Sequence, residues 1–252
     1  MKKLFLFLSV LFSAIGFAQN DSLFEQGNKL YNDGDYAEAI EKYEAILNNG
    51  KHSAELYFNL GNANYKLNNI APSIYYYEKA LQLAPNDKEI QNNIAFAKNM
   101  TIDAIDVIPE VGLSKIVNGF TRALGFDGWA YVAVIGMLFF VVLYLVYYFS
   151  YATVTKRLTF VASFAFLGIT LITTTLAFHR YELQRKDQPA IVFAEESQVK
   201  SEPNLRSEEA FRLHEGTKVQ VLDTLNDWKK IKLTDGKTGW ISGNDIRMLK
   251  TF

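Results

Sequence analysis

The side chains best suited to chemistry are carboxamides that recur along the chain. Asn28 returns as Asn62, and Asn59 returns as Asn93, each after 34 residues. A carboxamide carries both hydrogen-bond donors and an acceptor, which suits it to the backbone of an extended peptide. These pairs predict a polar ladder that binds a protein segment. The alternative is that the same amides hydrogen-bond neighbouring helices.

Residues for catalysis or metal binding are scarce in this sequence. The chain has no cysteine, which excludes disulfides, thiolate nucleophiles and Cys-ligated metals. Its histidines, His52, His179 and His214, are far apart, and no Ser/His/Asp set, phosphate-binding glycine loop or metal spacing accompanies them. We therefore expect no enzyme activity, no cofactor and no metal, and we expect His214, in a turn context, at the surface. The net charge of −1 gives no electrostatic case for nucleic acid.

The asparagine pairs belong to a longer internal repeat. Residues 20–53 and 54–87 align at a period of 34 without a gap. Matched apolar positions recur at helical spacing, and small residues stand where helices must approach closely, so we expect two helices per unit. Residues 88–105 continue the apolar periodicity without a second helix, which predicts a capping helix. The clearest matched positions are Gly27 with Gly61, Ile40 with Ile74, Tyr43 with Tyr77, and Leu47 with Leu81.

These units resemble the tetratricopeptide repeat family, which implies that residues 19–105 form a curved helical stack with a concave, ligand-binding face. Family members that clamp a C-terminal carboxylate place Lys and Arg beside two asparagines. Here Phe24, Glu89 and Asn93 occupy the places of those cations, so we do not expect that clamp. A net charge of −5 over the segment disfavours acidic partners. The side chains expected to face the groove are Phe24, Asn28, Tyr31, Phe58, Asn59, Asn62, Tyr65 and Asn93.

Three apolar segments predict export and membrane insertion. Residues 1–18 combine two lysines, a 14-residue apolar core and small residues at the end, as in a signal peptide; an uncleaved anchor is the alternative. Residues 129–149 and 158–178 are 21-residue segments without a charge, each the length of a bilayer span. The loop 150–157 between them is so short that the two spans must form a transmembrane hairpin.

The order of these segments predicts the topology. A cleaved signal places the repeats outside the cytoplasm, and two spans return the chain to the same side, so we expect both soluble modules in the periplasm and loop 150–157 in the cytoplasm. The flank 180–186 carries three cations and the loop two, against the positive-inside trend. The signal peptide outweighs this trend because it commits the N-terminus first. An apolar stripe over 111–126 predicts an amphipathic helix, either in the lipid interface or packed on the repeats.

Residues 188–252 read as short strands and turns. Residues 213–217 before a valine-rich strand, and the run from Trp228 through Asp235-Gly236 to Ile241, are similar to the bacterial SH3 domain, which implies a small all-β barrel. Trp228 and Trp240 are candidate partner-binding residues; the alternative for Trp240 is that it packs the barrel. We expect a solvated strand edge at Lys229, Lys230 and Lys232.

Together these features predict a multi-domain protein with all-α tetratricopeptide repeats, a transmembrane α-helical hairpin and a small all-β SH3-like barrel. This order resembles the BatE family of Bacteroidetes aerotolerance (Bat) operons. That resemblance implies membrane partners with von Willebrand factor A domains and a MoxR-type ATPase. We expect a non-catalytic scaffold of the inner membrane that binds protein partners through both modules and serves aerotolerance or envelope stress. The alternative is a peptidoglycan-binding anchor or sensor that uses the SH3-like domain.

Overall fold

The structure is a computed structural model that describes residues 19–105, 119, 121 and 123–250. The chain divides into two compact units, one formed by residues 108–187 and the other by the segments on either side of them. The predicted signal peptide (1–18) lies outside the described residues. So does most of the predicted amphipathic helix 111–126.

Five helices form the N-terminal half of the first unit, as two helix pairs and a single fifth helix. Each of the two repeats therefore has the predicted pair of helices. The helices are α1 (residues 19–33), α2 (Tyr36–Asn48), α3 (Ala54–Lys66), α4 (Ile70–Leu83) and α5 (Lys88–Lys98).

Close approach of the helices within each pair requires the matched glycines. A Cβ atom on Gly61 would lie 2.6 Å from the ring of Tyr77, and one on Gly27 would lie 2.5 Å from the ring of Tyr43. Real Cβ atoms do not make such contacts, so any larger residue would push the second helix away from the first. Both tyrosines are only 1% exposed, which places them at the centre of the repeat core.

The fifth helix is shorter than the capping helix predicted over 88–105, and that prediction is wrong in its extent. Helix α5 ends at Lys98, whose carbonyl accepts a hydrogen bond from Thr101 Oγ1 at 2.8 Å. The Thr101 hydroxyl thus satisfies a carbonyl that the helix leaves unpaired, which favours termination. Residues 101–105 are non-helical, and Asp103 among them hydrogen-bonds to the C-terminal domain.

The C-terminal domain is a seven-stranded antiparallel sheet, in agreement with the predicted SH3-like fold. The strand order is β3-β2-β6-β5-β4-β1-β7. Side chains from all seven strands enter one core, so the sheet curls around it. The strands are β1 (Pro189–Val192), β2 (Glu196–Lys200), β3 (Glu209–His214), β4 (Lys218–Leu225), β5 (Trp228–Lys232), β6 (Thr238–Ser242) and β7 (Ile246–Met248).

The strand-edge prediction for Lys229, Lys230 and Lys232 is wrong. Strand β5 pairs with β4 on one side and with β6 on the other, so its backbone is hydrogen-bonded on both sides. Lys230 and Lys232 alternate with Ile231 and point away from the core, whereas Lys229 lies on the Ile231 side near the end of the strand, where its Nζ is 3.0 Å from Thr224 Oγ1. The core residue of β5 is Ile231, which is fully buried.

The C-terminal domain packs directly on the second helix of the second repeat. Strand β1 is buried on both faces: Ala190 and Val192 face the barrel core, whereas Ile191 joins the repeat core with Leu249. Ile191 and Leu249 are both 0% exposed. The β-domain therefore covers an apolar face of α4 that would otherwise be exposed. The repeats and the β-domain form one unit.

The second unit contains two long apolar helices, α6 (Phe126–Phe149) and α7 (Thr153–Lys186), which pack along each other. Both are long and apolar enough to cross a membrane. Only 6% and 17% of the most apolar stretches of α6 and α7 are buried, unlike the core helices of a soluble protein. Residues 150–152 alone separate the helices, not 150–157, because the polar residues before the apolar run already continue the helix.

Candidate partner-binding site

The asparagine ladder joins the first helices of successive repeats. Asn28 Oδ1 accepts a hydrogen bond from Tyr43 Oη at 2.8 Å and another from Asn59 Nδ2 at 3.0 Å. Burial raises the pKa of Tyr43 to about 12, so its hydroxyl stays protonated and remains a donor. One buried tyrosine thus orients the Asn28 amide, and that amide holds α1 against α3.

The next repeat reproduces this arrangement with Asn62, Tyr77 and Asn93. Asn62 Oδ1 accepts a hydrogen bond from Tyr77 Oη at 2.6 Å and another from Asn93 Nδ2 at 3.1 Å. The amides therefore do hydrogen-bond neighbouring helices, the alternative raised from the sequence. Both ladder oxygens are occupied, but the NH₂ groups of Asn28 and Asn62 have no hydrogen-bond partner among the described residues. The ladder builds a continuous face from α1, α3 and α5.

Three cavities lie on this face, which we call the groove face. Phe24 lines a cavity of about 390 Å³, and Phe58 with Asn59 lines one of about 360 Å³. Four more of the predicted residues line a cavity of about 300 Å³; they are Tyr31, Asn62, Tyr65 and Asn93. Asn28 is fixed in the ladder and lines none of these three cavities. No described residue of the β-domain lines them, so the β-domain leaves the groove face uncovered.

Carboxylates that were not predicted as site residues also line these cavities. Asp21, Glu55 and Glu89 follow one another at the 34-residue period of the repeat. Asp21 and Glu55 line the cavity of about 390 Å³, and Glu55 and Glu89 line the cavity of about 360 Å³. The sequence signal that identifies them is their register in the repeat, which is the same signal that identifies the asparagines.

The two tryptophans of the β-domain share its outer face. Cross-strand pairing sets Lys230 opposite Trp240 and Trp228 opposite Ser242, so these side chains point to one side of the sheet. Trp240 is half-buried between the core residues of β6, and the ammonium of Lys230 lies 5.9 Å from its ring centroid. Trp240 therefore does not enter the barrel core. The inward position before it belongs to Gly239, where a Cβ atom would lie 2.5 Å from Val199.

A polar cluster holds the β-domain to the segment after α5. The carboxylate of Asp103 accepts hydrogen bonds from the His214 backbone N–H at 2.7 Å, from His214 Nδ1 at 2.8 Å and from Thr217 Oγ1 at 2.6 Å. Burial raises the pKa of Asp103, but these hydrogen bonds outweigh burial and lower the pKa below its usual range. His214 is therefore part of a contact between domains, and the expectation of a simple surface role is corrected.

A second carboxylate bridges the same two domains. Glu78 on α4 lies 2.9 Å from Lys98 Nζ and 2.7 Å from Lys218 Nζ of β4. Its side chain is 9% exposed. Burial raises the pKa of Glu78, but the two ammonium groups outweigh it and lower the pKa. The charge of Glu78 is thus kept in a buried position by one cation from each domain.

Comparison with known families agrees with both modules. Residues 24–88 match the tetratricopeptide repeat family, and residues 196–247 match the bacterial SH3 domain family. No curated protein matches the chain. Both families generally consist of non-catalytic interaction domains, which suggests a protein-binding or scaffold role. The chain thus carries a tetratricopeptide repeat segment and a bacterial SH3 domain, packed together as one unit.

Proposed function

We propose that this protein is a non-catalytic, membrane-anchored scaffold that holds an extended segment of a protein partner on the groove face. The observation that carries the proposal is the arrangement of the two modules. The asparagine ladder joins α1, α3 and α5 into one face with three cavities, while the β-domain packs on α4 and leaves those cavities open. Concave faces of helical repeats are common sites for such segments.

The anchor in this proposal is the helical hairpin. We place α6 and α7 across the inner membrane, with both soluble modules in the periplasm. The packing of the β-domain on the repeats supports one shared side, because two domains that share a core must lie in the same compartment. The predicted signal peptide supports the periplasmic side.

A more specific proposal is that this scaffold belongs to a Bat-type membrane complex linked to aerotolerance or envelope stress. Its partners would be membrane proteins with von Willebrand factor A domains and a MoxR-type ATPase system. The support for this assignment is the order of the modules along the chain, which resembles the BatE family. In such a complex the hairpin raises the effective concentration of the groove face for partners in the same membrane.

Site-specific crosslinking tests the scaffold function. A photoreactive amino acid replaces Tyr65, which lines a groove cavity, in the full chain within its native membrane. The matched control carries the same amino acid at Ala37, an exposed position of α2 that lines none of the three cavities. We expect one defined protein product from position 65 and none from position 37. Equal labelling at both positions, or no product, would contradict the proposal.

Alkaline phosphatase fusions test the location. We expect alkaline phosphatase activity from a fusion after Phe252 and no activity from a fusion within residues 150–157. The reverse pattern would place both modules in the cytoplasm and would remove peptidoglycan from the possible partners.

The second candidate function is a peptidoglycan anchor, and the outer face of the β-domain favours it. Trp228 and Trp240 present aromatic surface there, and Lys230 adds a cation beside them. Sedimentation of the detergent-solubilised full chain with purified peptidoglycan tests this candidate. Retention that is lost in Trp228→Ala would support it, whereas equal retention of both proteins would place any binding elsewhere.

A further inference from the structure

The groove face carries one carboxylate per repeat at a fixed position. Asp21, Glu55 and Glu89 are exposed, and each lies near the start of a first helix. None of the three has an ion-pair partner in the described part of the chain. Two further acids and two lysines complete the charged lining of the cavities; these residues are Glu25, Asp87, Lys51 and Lys66. The face is therefore net negative.

Aromatic side chains accompany two of these carboxylates. Phe24 follows Asp21 by three residues, and Phe58 follows Glu55 by three, so each pair lies on one side of its helix. Asp21, Phe24 and Glu55 line one cavity, and Glu55, Phe58 and Glu89 line the next. A carboxylate beside an aromatic ring suits a guanidinium or an ammonium group with an aliphatic stem.

The spacing of the carboxylates follows from the contacts between first helices. The bond from Asn59 to Asn28 and the bond from Asn93 to Asn62 show that α1, α3 and α5 are direct neighbours. Adjacent packed helices lie about 8–10 Å apart. An extended chain in the polyproline II conformation advances about 3.1 Å per residue with three residues per turn. Every third side chain therefore points to the same side, and three residues span one helix-to-helix step.

We infer that the groove face selects an extended segment that carries Lys or Arg at every third residue. This inference rests on the proposed function and specifies the partner of the same site. The segment runs across α1, α3 and α5, and its successive cations pair with Asp21, Glu55 and Glu89. The NH₂ groups of Asn28 and Asn62 donate to its backbone carbonyls. A segment with acidic side chains is rejected because it would meet unpaired carboxylates on each repeat.

A structural role competes for the same carboxylates, since acidic residues in the first turn stabilise a helix. The test must therefore separate binding from stability. Glu38 provides the matched control: it is an exposed acid in the first turn of α2 and lines none of the three cavities.

The experiment is fluorescence anisotropy with the full chain in lipid nanodiscs. The probes are labelled peptides of about 12 residues, long enough to cross three helices, with blocked ends and a Ser/Ala background. One carries three arginines at every third position, one carries glutamines there and one carries glutamates. A fourth has the three arginines adjacent. The protein variants are Glu55→Gln/Glu89→Gln and Glu38→Gln, each checked by thermal unfolding.

We expect the spaced arginine peptide to bind most tightly and its affinity to fall as salt rises. The double variant should weaken that peptide about fivefold, because two exposed ion pairs are lost, and should leave the glutamine peptide unchanged. Glu38→Gln should change neither affinity. No binding of the spaced arginine peptide, equal binding of all four peptides, or the same loss in Glu38→Gln would overturn the inference. The proposed function is judged separately, by crosslinking from position 65.

Discussion

Asp103 holds His214 through both its backbone and its side chain, across 111 residues of sequence. One carboxylate oxygen accepts the His214 backbone N–H at 2.7 Å, and the other lies 2.8 Å from the ring Nδ1. This pair fixes the end of β3 to the segment that follows α5. The β-domain is therefore attached to the repeat stack by a specific polar contact as well as by the apolar contact of Ile191 and Leu249.

Replacement of Asp103 by Asn should loosen this attachment. The amide cannot accept three hydrogen bonds as the carboxylate does, and its NH₂ group would face donors of His214 and Thr217. We expect a loss of about 1–3 kcal/mol in the free energy of unfolding. Hydrogen exchange of the full chain should show faster exchange at the His214 amide. Glu208→Gln, an exposed change on the approach to β3, is the control and should leave exchange unchanged.

The two carboxylate contacts between the repeats and the β-domain, at Asp103 and Glu78, should weaken in acid. The pKa of Asp103 is lowered from 3.8 and that of Glu78 from 4.5, in each case because favourable partners outweigh burial. A lowered folded-state pKa means that the carboxylate stabilises the fold fully above the unfolded-state pKa and loses this effect as pH falls through the folded-state value. We expect constant stability above about pH 5 and a decline below pH 4. Thermal unfolding of the full chain at a series of pH values measures this decline in stability.

The control for this pH series is Asp103→Asn, which removes one of the two titrating groups. Its decline in stability below pH 4 should be shallower than that of the parent chain. An identical slope in both proteins would show that Asp103 does not contribute to the acid sensitivity.

Local patterns in the sequence predicted the local elements well. The 34-residue period identified both helix pairs, because matched glycines and tyrosines meet within each pair. The valine-rich strand after residue 217 and the run from Trp228 to Ile241 correspond to β4, β5 and β6. The amides of the ladder were also placed correctly on the first helices, but only the structure shows that Tyr43 and Tyr77 occupy their oxygens.

Contacts between distant segments were beyond the sequence patterns. The position of β5 inside the sheet depends on which strands pair with it, and alternation within one strand carries no such information. One feature of the sequence agrees with the packing of β1 on α4. Residues 190–192 are apolar without alternation, as expected for a strand buried on both faces. The helix end at Lys98 depends on the Thr101 hydroxyl and on the docking of Asp103 beyond it.

A methyl group at Gly216 should push the two domains apart. A Cβ atom there would lie 2.8 Å from Thr101 Cγ2 and 2.9 Å from Ile74 Cδ1, both on the repeat side. Gly216 also has φ +84°, a conformation that costs a non-glycine residue about 1 kcal/mol. Gly50→Ala is the matched control, with φ +72° and open space around it.

We expect Gly216→Ala to lose about 1–3 kcal/mol more than Gly50→Ala, because only the former overpacks the contact. Limited proteolysis should cut Gly216→Ala faster within residues 101–105. Equal stability of the two variants would mean that the contact adjusts to an added methyl group without cost.

The buried bridge at Glu78 should show energetic coupling between the domains. Glu78→Gln removes the charge that Lys98 and Lys218 share, and the amide can still hydrogen-bond one of them. Complete burial of an unpaired charge costs about 3–5 kcal/mol. Here the lysine side chains are 47% and 44% exposed, so water can solvate them, and we expect a smaller loss of about 2 kcal/mol.

Lys218→Met breaks the same bridge from the β-domain and keeps the aliphatic stem. A double-mutant cycle of Glu78→Gln and Lys218→Met, measured by denaturant unfolding of the full chain in detergent, isolates the pair. We expect a coupling energy of about 1 kcal/mol, as for residues in direct contact. Lys237 pairs with Asp235 in a remote turn, so Lys237→Met is the control. Its effect on the free energy of unfolding should add to that of Glu78→Gln. Additivity of Lys218→Met as well would show that the ion pair does not link the domains.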